Sequence, residues 1–237
     1  MSRFQESNES WARKLAASWL GGEKFRWELY SACLAEALNP QEAWLDLGCG
    51  HSDFIAEHSA SPAVGVDADC ANPAPGLFVN ARLEALPFAA GAAGTLSLRF
   101  VLEHIENPER LWEECARVLL PGGRLVLITT NRISPLVALA GCVPHRLRER
   151  LISRVFKVRP GDIFPTWHRW NTPRTLANPP RGFSLERIEY VEALDWTRRF
   201  VFLALLLLAF VTRPRLLRPI RSNVVAVYCR CQQAEVQ

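Results

Sequence analysis

The chain has 237 residues, 49% of them hydrophobic, and a formal net charge of +4; that is enough apolar content for one substantial core and one domain. The modest charge and the lack of a nucleic-acid-binding pattern argue against a nucleic-acid partner, and the opening Met1-Ser2-Arg3-Phe4 has no apolar signal region. Seven cysteines, at 33, 49, 70, 115, 142, 229 and 231, lack paired metal-ligand spacing and read as reduced cytosolic thiols.

In chain order, Glu9 to Leu38 carries helical apolar spacing, interrupted by Gly21-Gly22, within a helical cap over 1–40. A strand near 43–47 runs into Trp44-Leu-Asp-Leu-Gly-Cys-Gly50. There Gly48 and Gly50 permit a sharp turn and let backbone approach a ligand with no Cβ between. Ala63-Val-Gly-Val-Asp67 reads as a second buried strand. It ends in a carboxylate 17 residues after Gly50, placed to accept the hydroxyls of a ribose. Asp53 stands where a nicotinamide-dinucleotide fingerprint has its third glycine, so a cofactor with a ribose and no pyrophosphate fits better. Taken singly, these residues could equally be an ordinary turn and solvated strand ends.

Further strands are expected near 77–80 and 95–98. Asn107-Pro108-Glu109 reads as a helix start with Asn107 as the capping side chain. Leu111, Trp112, Cys115, Val118 and Leu119 form its apolar face, and Pro121-Gly122-Gly123 its stop. Arg124–Thr130 is a fifth strand, with 184–191 and 223–231 closing the sheet. The predicted fold is α/β, a doubly wound Rossmann-like, mostly parallel sheet with an antiparallel C-terminal strand and helices on both faces.

Four ordered segments carry a resemblance: Leu45-Asp-Leu-Gly-Cys-Gly50, Val64-Gly-Val-Asp67, Leu83-Glu-Ala-Leu-Pro-Phe88 and Val101-Leu-Glu-His-Ile105. The last continues through Pro108 and Arg117-Val-Leu-Leu-Pro-Gly-Gly123. Over about 41–131 the chain resembles the class I S-adenosylmethionine-dependent methyltransferases, in the subgroup of the ubiquinone- and menaquinone-pathway enzymes. The resemblance implies S-adenosylmethionine as cofactor. Gly48, Cys49 and Gly50 would lie under its methionine half, Asp46 near its amino group, and Asp67 and Ala68 at its ribose. Leu83 and Glu84 would face adenine, with Arg99 and Phe100 forming the floor beside the sulfonium. The chain departs from the family at Arg82, where an aspartate is usual, and at Ala93-Gly94, where a Phe-Asp pair is usual. Ala68–Gly76 is also short and proline-rich for a crossover helix.

His104 and His168 are the candidate general bases, with His145 a further one; His51 could face the cofactor or cap a helix. Relatives with a Glu-x-x-Glu-His metal cluster match here only in Glu103-His104, because Phe100 replaces the first glutamate, so no metal is expected. A substrate-covering insertion is expected over 132–180. Its aromatic centre Asp162–Thr172 supplies Trp167, His168, Trp170 and Asn171 as substrate-binding candidates, or as anchors of the loop on the core. Its flank from His145 to Arg159 is basic.

Within the closing segment 181–237, Phe200–Val211 is uninterrupted apolar sequence of about 18 Å as a helix, too short for a bilayer core of about 30 Å. Arginines at 198, 199, 213, 215, 218 and 221 flank it. An anchor on an anionic membrane surface, a dimer contact and a buried core helix are all open readings of 199–221. The expected function is methyl transfer to a small-molecule or lipid-linked acceptor, O-methylation favoured, by a cytoplasmic protein that can act peripherally at the inner face of the membrane. The alternatives are C- or N-methylation of an electron-rich aromatic metabolite, and a non-catalytic binding subunit of the same fold.

Overall fold

The computed structural model describes residues 3–50, 54–58, 62–68, 70, 76–143 and 165–231. The helices are α1 (Arg3–Leu20), α2 (Arg26–Ala37), α3 (Phe54–His58), α4 (Pro108–Val118), α5 (Pro135–Gly141), α6 (Pro173–Ala177) and α7 (Arg199–Val211). The strands are β1 (Trp44–Leu47), β2 (Ala63–Asp67), β3 (Leu77–Asn80), β4 (Ala93–Arg99), β5 (Leu119–Thr130), β6 (Phe183–Val191) and β7 (Asn223–Arg230). They form one sheet in the order β3-β2-β1-β4-β5-β7-β6, mostly parallel with one antiparallel strand. The predicted doubly wound class is thus the observed one.

The chain divides into two compact units. The first comprises the described residues of 1–29, 130–165 and 190–224. Its core is made by α1 and α7: Ala12, Ala16 and Leu20 lie against Phe202, Leu205, Leu206 and Ala209. Edge-on ring pairs reinforce it, Trp11 with Phe202 at 5.4 Å and Phe25 with Trp196 at 5.6 Å. Arg13 stacks its guanidinium over Phe25 and Trp196 while pairing with Glu9 and Glu28. The C-terminal end of α7 is held by Arg221, which is buried. It donates to Ala209 O at 3.1 Å and to Thr212 Oγ1 at 3.3 Å, and pairs with Glu23 at 2.9 Å.

The second unit comprises the described residues of 30–129, 166–189 and 225–237 and carries most of the sheet. β1 and β4 are buried almost throughout, as strands covered on both faces must be. On α4, Trp112 lies edge-on to Tyr228 of β7 (5.1 Å) and Phe183 of β6 (5.2 Å). Tyr228 satisfies its hydroxyl on Leu176 O at 2.8 Å.

Two local expectations are corrected. Asn107 makes no side-chain cap; the α4 start rests on Pro108, whose missing N–H needs no partner in the first turn. β5 begins at Leu119 rather than Arg124: the Pro-Gly-Gly stop of α4 is itself the start of the strand. A register irregularity opposite Ala93–Thr95 absorbs the mismatch. Most of the Ala68–Gly76 connection lies outside the described residues.

Candidate functional site

The sheet order reverses between β1 and β4, and a doubly wound sheet takes its ligand at the carboxyl ends of the strands flanking that point. Beyond Leu47 the chain turns back on β2, with the N–H groups of Gly48 (2.7 Å) and Cys49 (3.2 Å) both donating to Val66 O. The two motif glycines have different causes. Gly48 has φ +71, and a Cβ there would lie 2.3 Å from Val101 Cγ2, so the protein's own packing demands it. Gly50 has φ +57, and a Cβ there would meet no atom of the described residues within 4 Å. Among the described residues the space above it is open. Its N–H donates to Asp67 Oδ2 at 2.9 Å, and its carbonyl accepts the Cys70 thiol at 3.2 Å. An open glycine turn and a carboxylate at the end of β2 therefore adjoin. Ala68, exposed beside them, accepts Asn80 Nδ2 at 3.2 Å. Cys49 is buried, and burial followed by the nearby Asp46 and Asp67 charges pushes its thiol up to about 12, so it is a neutral packing group and no nucleophile.

Asp46 stands differently from what its motif position suggests. In-register pairing of β1 with β4 sets it beside Ser97. Ser97 Oγ donates to Asp46 Oδ1 at 2.6 Å, and Arg99 Nη2 to Oδ2 at 2.7 Å. Trp44 Nε1 extends the chain by donating to Ser97 Oγ at 2.8 Å, and the Arg99 guanidinium lies 4.1 Å over the Phe54 ring. Asp46 is buried, with one oxygen engaged by Ser97 and the other by Arg99.

At the end of β4, Phe100 adopts φ +56, a conformation costly for a side chain with Cβ and concentrated at functional sites. A 3-10 turn, Leu102–His104, follows. Its centre, Glu103, is a buried hub. Its carbonyl accepts the N–H of Trp167 (2.8 Å) and of His168 (3.2 Å). Its carboxylate accepts Thr129 Oγ1 at 2.7 Å, and Thr129 Oγ1 in turn accepts Asn171 Nδ2. Glu103, Thr129 and Asn171 are each at most 2% exposed. The hub brings the two histidine candidates to adjacent backbone: His168, itself at φ +48, bonds to the residue preceding His104. Of the aromatic-loop candidates, Trp170 donates to Thr175 O at 3.1 Å and rests 6.3 Å from Trp112, and Asn171 is spent on Thr129. Both anchor the loop. Trp167 is half exposed, with Arg169 against its ring.

Leu83 is buried and Glu84 half-buried, in a turn closed by Ala85 N–H on Arg82 O at 3.1 Å. The following strand of loop is braced by a pair on α4 that the sequence reading passed over. Glu114 accepts Leu86 N–H at 2.7 Å, and Arg117 donates to Phe88 O at 2.6 Å and Leu86 O at 2.9 Å. Glu114 and Arg117 bind each other, which holds the Glu114 carboxyl below its ordinary range. The signal was available as an Glu-x-x-Arg spacing on the helix. Thr129 offered none, since a threonine in a buried strand reads as β-propensity. No three His, Cys, Asp or Glu side chains gather to hold a metal among the described residues. His51, His145 and the basic flank from 145 to 159 lie outside those residues.

Residues 45–127 match the family described as a methyltransferase domain. An uncharacterized methyltransferase of Mycobacterium tuberculosis is 36% identical over 102 residues, 38% of this chain and 40% of the relative. The ubiquinone biosynthesis O-methyltransferase of Xanthomonas oryzae pv. oryzae is 31% identical over 113 residues, 40% of this chain and 46% of the relative. Among solved structures, a SAM-dependent methyltransferase from Methanosarcina mazei superposes with a TM-score of 0.56 at 15% identity, covering 85% of this chain and 98% of that one. Geranyl diphosphate C-methyltransferase from Streptomyces coelicolor A3(2), solved with S-adenosyl-L-homocysteine, gives 0.52 at 19% identity, covering 86% and 76%. The fold is that of the class I S-adenosylmethionine-dependent methyltransferases. The matched region spans 40% to 50% of the length of the curated relatives.

Proposed function

We propose that this chain binds S-adenosylmethionine and transfers its methyl group to a small-molecule or lipid-linked acceptor. The observation that carries the reading is the open Gly50 turn tied through its N–H to the Asp67 carboxylate. The bound cofactor supplies an electrophilic methyl on a sulfonium. Asp67, its geometry fixed by Gly50, accepts the ribose hydroxyls, with Ala68 beside it. Gly48, Cys49 and Gly50 offer backbone to the methionine half. Asp46 acts through Arg99, holding its guanidinium against Phe54 at the end of β4. Leu83 and Glu84, in the turn before the segment that Glu114 and Arg117 brace at Leu86 and Phe88, face adenine, and Arg99 and Phe100 floor the reacting end. Because the electrophile arrives activated, alignment supplies most of the rate. His104 and His168 are the bases for an acceptor that must lose a proton. Trp167 and His168 face the acceptor, while Trp170 and Asn171 hold their loop in place.

Oxygen is the favoured acceptor atom, supported by the likeness to the ubiquinone O-methyltransferase. Carbon or nitrogen of an electron-rich ring is the alternative, and a non-catalytic binding subunit the reading outside enzymes. The protein works in the cytoplasm and can act peripherally at the inner face of the membrane. Transfer of label from methyl-tritiated S-adenosylmethionine to phenolic, amine and lipid-linked acceptors tests this proposal. Labelled phenolic or quinol-type product supports it. Cofactor binding with no labelled product across the panel leaves the non-catalytic reading.

A further inference from the structure

From Phe200 to Val211 helix α7 is apolar, yet its two sides have different fates. Phe202, Leu205, Leu206 and Ala209 are at most 5% exposed and form the core of their unit with α1. At 100° per residue, Phe200, Leu203, Leu207, Phe210 and Val211 fall on the opposite side in one stripe, each 46% to 67% exposed. Trp19 of α1 widens the stripe, its ring edge-on to Phe210 at 5.7 Å. Beyond the helix, Leu216 is 93% exposed and Leu217 stands beside it. Single exposed leucines are ordinary on a soluble surface; a continuous stripe of large apolar side chains is not.

The charges around the stripe select its occupant. Arg213 and Arg215 are exposed at the C-terminal end and Arg198 at the N-terminal end, whereas Arg199 stacks on Trp11 and donates to Asn8 Oδ1 at 3.0 Å. Arg221 turns inward to Glu23 at 2.9 Å, and Arg218, still partly exposed, lies 3.9 Å from the same carboxylate. The sequence has no acidic residue between Asp195 and Glu235. A second copy docked by a two-fold axis would set this arginine-flanked stripe against itself, and the nearby Glu23 is already engaged by Arg218 and Arg221. A convex helix with apolar crest and cationic ends suits a surface that is soft, apolar below and anionic above. No helix among the described residues is long and apolar enough to cross a membrane, so insertion would be parallel to the surface.

We propose that the outer face of α7, with Trp19, Leu216 and Leu217, docks this protein on an anionic lipid bilayer. The aromatic and leucine side chains enter the headgroup–acyl boundary, and Arg213 and Arg215 meet lipid phosphates. The inference stands independently of the methyl-transfer reading. Co-sedimentation of the whole chain with phosphatidylcholine vesicles, with and without about 30% phosphatidylglycerol, tests it. Binding is expected to the anionic vesicles, to weaken in high salt, and to be at least about tenfold poorer with the neutral ones. Leu207→Ser with Phe210→Ser should lower it at least about tenfold with an unchanged circular-dichroism melt. Should that variant misfold, Leu216→Ser, outside the helix, should still lower binding measurably. Equal recovery with and without anionic vesicles, or a dimer in sedimentation velocity that these substitutions dissolve, would overturn the proposal.

Discussion

The Asp67 carboxylate accepts the Gly50 N–H at 2.9 Å across 17 residues of sequence. This bond joins the end of β2 to the turn after β1, fixing an acid where a polar ligand lying over Gly50 would meet it. Removing it separates binding from folding. Asp67→Ala should weaken S-adenosylmethionine by about 1.5–3 kcal/mol, through lost charged hydrogen bonds. The thermal melt should hold, and calorimetric affinity of the variant against the wild type is the measurement.

The two motif glycines should fail in opposite ways. Gly48→Ala sets a Cβ 2.3 Å from Val101 and should cost the fold several degrees of melting temperature. Gly50→Ala meets no described atom within 4 Å and carries only a backbone penalty of about 1 kcal/mol, yet fills the open space. A soluble, folded Gly50→Ala with lost affinity, beside a destabilised Gly48→Ala, is the expected pair of melts and titrations.

Thr129→Val should disconnect the loop that carries His168. Its hydroxyl is shared by the Glu103 carboxylate and the Asn171 amide, so a methyl leaves two buried polar groups short of a partner. A loss of about 2–4 kcal/mol in urea unfolding is expected.

Alkaline pH should destabilise the fold through Cys49. Its folded pKa, about 12, lies above its ordinary value of 9.0. Between these values the unfolded chain has released the proton that the folded chain keeps, so stability falls as pH rises. Buried Cys115, also raised, adds to the slope. Cys49→Ala should flatten the decline in melting temperature above about pH 9 relative to the wild type.

The strands were legible because each is a short apolar run closed by a turn residue, and Gly48, Gly50 and Asp67 fell where that order put them. What composition could not reveal was direction. Asp46 has the spacing of a ligand residue, but the β1–β4 register turns it to Ser97 and Arg99. Asn107 has the identity of a cap without the bond. The sequence of α7 is apolar on every side, and only packing against α1 separates buried Leu206 from exposed Leu207. Glu103 drew attention as a remnant of a metal motif, whereas its burial between Thr129 and the 167–168 backbone makes it the hub of the loop.

The central claim is that the Gly50–Asp67 cradle binds S-adenosylmethionine, and calorimetric titration with that ligand tests it most directly. S-Adenosylhomocysteine should be titrated alongside, with NAD as control. The account predicts one site with micromolar affinity for both sulfur ligands and none for NAD. Heat with NAD alone, or with none of the three, would contradict it.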